Sequence, residues 1–408
     1  MDHIKTSDRL LLLSDEELSR RLGHIDAAMT ASGLDSLVVC SATNTYYLSG
    51  RVFCGFAIYI KQLRRILWMV KRPAQLKGED VIYLRKPEQI LDCMNTLGVT
   101  PSVLGNVGLE LDEISYNHIQ RQATALRLKT WGNADGVLNI ARATKTPYEQ
   151  SLIRQSGISH EHVYCQIPHL YREGMTDIEL QIEIERTSRL EGCLGLFRVS
   201  GPDMELHMGN ILAGDNADSP SPYDFAMGGA GASPSLPVGA DGTILRPGLA
   251  VMIDVNGNYT GYMTDMTRTF TVGDLPDEAL RAHEVSREIC RELADMGRPG
   301  IAAKDLYERA VAIATDHKLE HYFMGHRQHA GFVGHGVGIV INELPVIAPR
   351  SKNILQAGNV IALEPKFVIP HVGAVGIENT YIVQDNGPMQ CVTNAPESIG
   401  ILGDNQWA

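Results

Sequence analysis

Residues 251–273 read VMIDVNGNYTGYMTDMTRTFTVG, and this stretch organises the chain around it. Three apolar residues run into Asp254, a turn-rich VNGNYTG follows, and Met263, Asp265, Thr267, Thr269 and Thr271 then alternate with Met266, Phe270 and Val272. Alternation with a period of two marks a half-buried strand, so the stretch predicts a hairpin with a carboxylate on each arm. Asp254 and Asp265 are eleven positions apart, and a bent pair of adjacent strands brings such positions close together. Two carboxylates held that way repel each other and desolvate badly unless a cation lies between them. Taken alone, the two fit ordinary turn and surface aspartates equally well.

Three later segments change the balance. GFVGHGVGIVINELP places His335 in a glycine-rich turn, VIALEP ends in Glu364 and proline, and VGIENTYIV contains Glu378. Both glutamates follow strand-like apolar residues, a poor place for an unpaired acid. Asp254, Asp265, His335, Glu364 and Glu378, in this order and these contexts, resemble the metal set of the M24 metallopeptidases. That family includes methionine aminopeptidase, aminopeptidase P, prolidase and creatinase. The resemblance implies an α+β pita-bread catalytic domain with a curved antiparallel sheet. It also implies that Asp254 binds one ion, that Asp265 and Glu378 bridge two, and that His335 and Glu364 complete the second. Four carboxylates balance two divalent cations, which predicts a two-metal centre with ions about 3.5 to 4 Å apart. Oxygen-rich ligation with one imidazole suits manganese, cobalt, iron or zinc. A bridging hydroxide would be the nucleophile, and Glu364 the general base that passes a proton to the leaving nitrogen.

A chain of 408 residues exceeds the size at which one core stops growing, so two domains are expected. We place them at 1–140 and 141–408. The first 21 residues hold only a four-leucine run followed by acids, so neither a signal peptide nor a membrane span is expected. Seven cysteines without a close cluster suit a reducing cytoplasm better than a disulfide framework. A formal net charge of -12 disfavours nucleic acid as a partner.

The first domain reads as α/β. A helix is expected over residues 14–30, strands at SLVVC, RILWMVKRP, EDVIYLRKP and SVLGNVGLEL, a helix over 114–125 and a strand-like LRLKTWG. NTYYLSG, at 44–50, reads as a turn into a strand or loop and resembles a segment of the family's N-terminal domain. No glycine-rich phosphate loop follows any strand. A helix beginning at Pro147 opens the second domain, where Arg142, Lys145 and Glu149 resemble the family's arrangement and are assigned a structural role. Further helices are expected from Thr176, over 275–297 and over 302–319. Residues 203–242, rich in glycine, proline and serine, read as strand pieces and loops walling a substrate pocket.

Departures from the family bear on specificity. Asn342, Val238 and Gly331 stand where peptide-cleaving members often have histidines, and Gly376 where aminopeptidase P relatives often have arginine. Asn342, Lys366, His326, Arg327 and His329 are the candidate substrate-binding residues, with His207, His371, Tyr223 and Asp224 as weaker ones. The expected function is an Xaa-Pro dipeptidase or aminopeptidase-like hydrolase of short peptides. The alternatives are a non-peptide C–N hydrolase or metal-dependent lyase acting on a small polar or anionic molecule, and a non-catalytic interaction protein. The family also implies a homodimer.

Overall fold

Residues 8–199, 206–223, 225–404 and 407 are described by the computed structural model, and the chain divides into two units, Met1–Arg142 and Ala143–Ala408. In the first, β1 (Ser36–Val39), β2 (Cys54–Ile60), β3 (Arg65–Arg72), β4 (Val81–Tyr83), β5 (Val107–Leu109) and β6 (Gly132–Asn133) form one mixed sheet ordered β4-β3-β2-β1-β5-β6. β2 is antiparallel to both neighbours and the remaining pairs are parallel. Val38, Ile58, Ile60 and Met69 of the sheet pack with Ile90, Met94 and Ile119 from α3 (Ile90–Thr96) and α4 (Tyr116–Ala125). Ahead of them in the chain, α1 (Asp15–Ser32) is capped by Ser14, which accepts from the Glu17 amide, and is stopped by left-handed Gly33.

Two expectations fail in this unit for local reasons. NTYYLSG is no strand or loop but most of α2 (Ala42–Ser49), because the Ser41 hydroxyl accepts the Asn44 amide at one end and Gly50 closes the other in the left-handed region. LRLKTWG supplies only the start of β6, because Arg127 at φ 56° turns the chain out of α4. The amides of Arg127 and Leu128 bond back to Thr124 and Ala123.

The second unit follows α5 (Asp135–Ala143) and begins with α6 (Pro147–Leu170) and α7 (Asp177–Leu190). Thr146 and Glu149 form a capping box on the first, Thr176 and Glu179 on the second. The predicted hairpin is present as β8 (Ala250–Asn258) and β9 (Met263–Thr271), flanked by β7 (Gly209–Ala213) and, at the far end of the chain, by β17 (Gly400–Ile401) in the order β17-β9-β8-β7. Between them lie α8 (Asp277–Met296), α9 (Ala303–Asp316), β10 (Gly334–Gly336), β11 (Glu343–Ile347), β12 (Val360–Leu363), β13 (Lys366–Ile369), β14 (Gly373–Gly376), β15 (Asn379–Ile382) and β16 (Gln390–Cys391). A five-stranded antiparallel sheet has the order β11-β10-β12-β15-β16, and β13 pairs with β14. An antiparallel bridge between Thr267 and Glu378 joins the hairpin to the strand that β15 continues.

The period of two sorts the hairpin's side chains between two cores. Val251, Ile253, Val255, Met266 and Phe270 pack with Val163, Tyr164, Leu180 and Ile184 of α6 and α7. Ala250 and Met252 join α8 and α9 on the opposite face. Asp254 continues the Ala250, Met252 row, so the same alternation that builds the cores turns this carboxylate to the face used by the site.

Candidate metal centre

In the hairpin, Asp254 stands opposite Thr267 and Asp265 opposite Asn256. The two aspartates are therefore diagonal neighbours on one face, the distance at which side chains on paired strands meet. The Asp265 amide donates to Thr380 Oγ1 at 2.8 Å, and that hydroxyl donates to Asp265 O at 2.8 Å. Thr267 Oγ1 donates to Glu378 Oε2 at 2.7 Å. Thr267, one of the alternating threonines of β9, and Thr380 thus fasten two strands and orient a carboxylate between them.

His335 lies in a strand and not in a turn. β10 runs between β11 and β12, and a Cβ on Gly334 would meet Ala362 O at 2.3 Å while one on Gly336 would meet Leu344 O at 2.2 Å. The glycines are there so that a strand fits between its neighbours. His335 Nδ1 is 3.1 Å from Gly336 O. A carbonyl only accepts, so Nδ1 carries a proton, and Nε2 is the nitrogen that faces the carboxylates and would ligate a cation. Nε2 is 3.4 Å from Glu364 Oε1 and 3.8 Å from Asp265 Oδ2.

Two overlapping sets of donors could hold cations: Asp265, His335 and Glu378, and Asp254, Glu364 and Glu378, with ligand atoms in each set within 4.8 Å of one another. All five residues singled out in the sequence are thus brought together. The second set also surrounds an ammonium. Lys366 Nζ lies 2.8 Å from Asp254 Oδ2, 3.0 Å from Glu364 Oε2 and 3.2 Å from Glu378 Oε2.

The electrostatics follow from burying so many acids together. Burial and the Asp254 charge push Asp265 up to about 8, and burial with the Asp265 charge pushes Glu378 well above the usual carboxylate range. Burial works against ionised Glu364 too, but the Lys366 ammonium and His335 outweigh it and hold the carboxyl at about 2. His335 is carried the other way: burial disfavours its charge, yet Glu364 and Asp265 lift it to about 9. The protein's own cations are not enough to favour ionised Asp265 and Glu378, and a bound cation would favour their charged forms.

The donors line a cavity of about 220 Å³. Its walls are mainly apolar, with Phe197, Leu206, Phe225, Met227, Phe332 and Ile341 among them. Asn342 and His207 are on the wall, so part of the expected substrate set stands at the site. Residues 206–227 contribute walls, as the glycine-rich reading anticipated, although 201–205 and Asp224 lie outside the described residues. His326, Arg327 and His329 are not among the lining residues. His326 Nδ1 and the Arg327 amide are held by Asp218 at 3.0 and 2.9 Å, and His329 Nδ1 lies 3.0 Å from Phe323 O. His371 is exposed beside Asp215. Lys366, read as a substrate contact, is fully buried and engaged by the ligand carboxylates instead.

Among the contributors to the site, Arg268, Glu343 and Tyr262 had no mark in the sequence. Arg268, fully buried, donates from Nη1 to the carbonyls of both Thr267 and Glu378 at 2.8 Å. Lys145 Nζ pairs with Glu343 Oε2 at 2.9 Å, both side chains buried, next to Asn342. Glu149 accepts from the Tyr262 hydroxyl at 2.7 Å. These last contacts suit the structural role read for Lys145 and Glu149, and only the long separations in sequence concealed them.

A model of metallopeptidase family M24 matches residues 151–385, and one of the creatinase/prolidase N-terminal domain matches residues 21–144. The Xaa-Pro dipeptidase of Pyrococcus furiosus is 25% identical over 385 residues, spanning 91% of this chain and 97% of that protein. The Xaa-Pro dipeptidase structure from Bacillus anthracis superposes with a TM-score of 0.76 at 20% identity, covering 94% of this chain and 100% of that one. A prolidase structure from Pyrococcus horikoshii OT3 gives 0.73 at 21% identity, over 92% and 98% of the two chains. These structural likenesses show a common fold.

Proposed function

We propose, from the premise that this chain belongs to metallopeptidase family M24, that it is a metal-dependent hydrolase of short peptides, with Xaa-Pro bonds as its preferred target. One observation supports this above others: Asp265, His335, Glu364 and Glu378 converge on a small cavity with apolar walls. A divalent cation held by Asp265, His335 and Glu378 would acidify water and polarise a carbonyl there.

The remaining roles belong to the chain. Glu364 faces His335 through Oε1 and Lys366 through Oε2, and its carboxylate is the group to take the proton from an attacking water and return it to the leaving nitrogen. Phe197, Phe332 and Met227 exclude water and favour an apolar side chain or a pyrrolidine ring. A prolyl amide nitrogen has no hydrogen to satisfy, so an apolar wall costs it nothing. Asn342 and His207 are placed to contact the peptide's polar atoms. Among the described lining residues there is no lysine or arginine, so the cavity favours this reading over an anionic small molecule. Relatives bearing the name Xaa-Pro dipeptidase at 24 and 25% identity point the same way.

Seven free cysteines suit a reducing compartment, and we assign the protein to the cytoplasm. Among the described residues no helix is long and apolar enough to cross a membrane.

The test compares kcat/KM for manganese, cobalt, iron and zinc forms on Xaa-Pro dipeptides and tripeptides, the matching Xaa-Ala peptides and small carboxylated amides. Xaa-Pro substrates with an apolar first residue should lead, and Glu364→Gln should lower their turnover about 10²-fold or more at matched metal occupancy. Turnover of the carboxylated amides with no cleavage of any peptide would overturn the proposal.

A further inference from the structure

The donors do not fit two metal ions as they stand. One set, Asp265, His335 and Glu378, is open to a cation, but the other surrounds Lys366 Nζ. We infer that the Lys366 ammonium permanently takes the place of one of the two cations that the carboxylates call for, so that this protein holds a single divalent ion. This inference rests on the metal-dependent reading proposed above.

An ammonium has three N–H donors and no acceptor. Lys366 Nζ has three carboxylate oxygens around it, at 2.8, 3.0 and 3.2 Å, one each from Asp254, Glu364 and Glu378. These are the same three residues that make up the second donor set. Every donor is used, and each accepting residue is also a candidate metal ligand. A surface lysine leaning over an acidic pocket would not look like this, because the Lys366 side chain is wholly buried.

The backbone keeps it there. Lys366 opens β13, pairs with Gly376 of β14, and accepts the Met324 amide through its carbonyl at 2.8 Å. A Cβ on Gly376 would meet Pro365 O at 2.7 Å and Lys366 Cα at 3.1 Å, so the facing strand lies tight against the lysine's own backbone. A divalent ion entering the Asp254, Glu364, Glu378 set would meet a like charge at hydrogen-bond range and would have to expel it from a buried position.

The charge count agrees. Four carboxylates carry -4; one divalent ion and one ammonium bring +3, where two divalent ions would bring +4. The site is left one unit short of neutrality and is far better compensated than with the lysine alone. Unlike an ion, the lysine cannot be chelated away, so half of the cluster keeps its cation in any buffer.

Metal stoichiometry tests this without reference to activity. The full-length protein, stripped and reloaded with excess Mn²⁺, should retain one ion per chain by elemental analysis, and its electron paramagnetic resonance should show the hyperfine pattern of isolated ions. Lys366→Ala opens the second donor set and should raise the content to two, with the spectrum of a spin-coupled pair. Two ions in the parent protein, or one in a folded Lys366→Ala variant, would overturn the inference. No tight binding in the parent would instead overturn the metal-dependent reading itself. If Lys366→Ala does not fold, the parent's spectrum at saturating Mn²⁺ is sufficient by itself: a coupled pair refutes the inference and isolated ions at one per chain support it.

Discussion

Arg268→Lys is the substitution that asks most of the structure while leaving every ligand and the formal charge intact. The guanidinium is fully buried on β9. It donates to six acceptors: the carbonyls of Thr267, Glu378, Thr393, Ala395 and Pro396, and Asn379 Oδ1, at distances from 2.7 to 3.3 Å. A lysine brings three donors from a single atom, so at least three acceptors lose their partner. An unmet buried acceptor costs about 1–3 kcal/mol. The Thr267 and Glu378 carbonyls each retain an amide from the bridge between them, at 3.1 and 3.3 Å, so part of the loss is cushioned. We expect a net destabilisation of about 2–5 kcal/mol.

The loss should be visible at the metal as well as in the melt. Arg268 pins the carbonyl of Glu378 itself, and groups that orient a ligand typically govern metal affinity by about 10- to 100-fold. Two units in one chain make a single global transition unsafe, so the second unit needs its own reporter. Trp407 packs on Phe270 with ring centroids 4.9 Å apart, two residues from Arg268. Its fluorescence, in a background with Trp68 and Trp131 replaced by phenylalanine, follows urea unfolding where the change is made. A midpoint within error of the parent, together with an Mn²⁺ dissociation constant changed less than about twofold against the 10-fold lower bound, would refute the claim that Arg268 holds the hairpin against the Glu378 strand.

Two further outcomes test the scaffold. Lys145→Met should destabilise by about 3–5 kcal/mol, because it takes the ammonium away from the buried Glu343 carboxylate, and Lys145→Met with Glu343→Leu should recover much of that in the same urea assay; full stability of the single variant would show that the pair does not matter. His160 is buried and held neutral, its pKa lowered from 6.5 to about 3 by burial and then by Arg268. The unfolded chain therefore takes up this proton first, so the stability His160 contributes is complete above about pH 6.5 and is lost as pH falls toward 3. At pH 5 the loss is about 2 kcal/mol, and the difference in unfolding free energy between pH 7 and pH 5, extrapolated from urea titrations, should shrink by that amount in His160→Gln; an unchanged difference would show that His160 titrates alike in both states.

What the sequence disclosed, and what it withheld, divides along the range of each interaction. The hairpin and the helix starts rest on short-range patterns, alternation along β9, Pro147 and Glu149 at the head of α6 and Thr176 ahead of α7, whereas the five ligands were legible as a set only through their resemblance to the M24 metal set. NTYYLSG, read as a turn into a strand or loop, failed at the same range, because the Ser41 cap just before it fixed a helix. Sequence spacing could not reveal the pairing of Lys145 with Glu343 or of Arg268 with residues 378–396, since each depends on where distant strands meet. Lys366 is the informative middle case. Its spacing of two from Glu364 fits a place on the same strand face, but spacing cannot say whether a long cation points outward to a substrate or inward to its neighbours. Charge settles the direction: with Asp254, Glu364 and Glu378 all within 3.2 Å of its nitrogen, an outward-facing lysine would leave three buried or half-buried acids facing one another. The same acids that advertise a metal site in the sequence are therefore the reason that one of its cations can be covalently part of the chain.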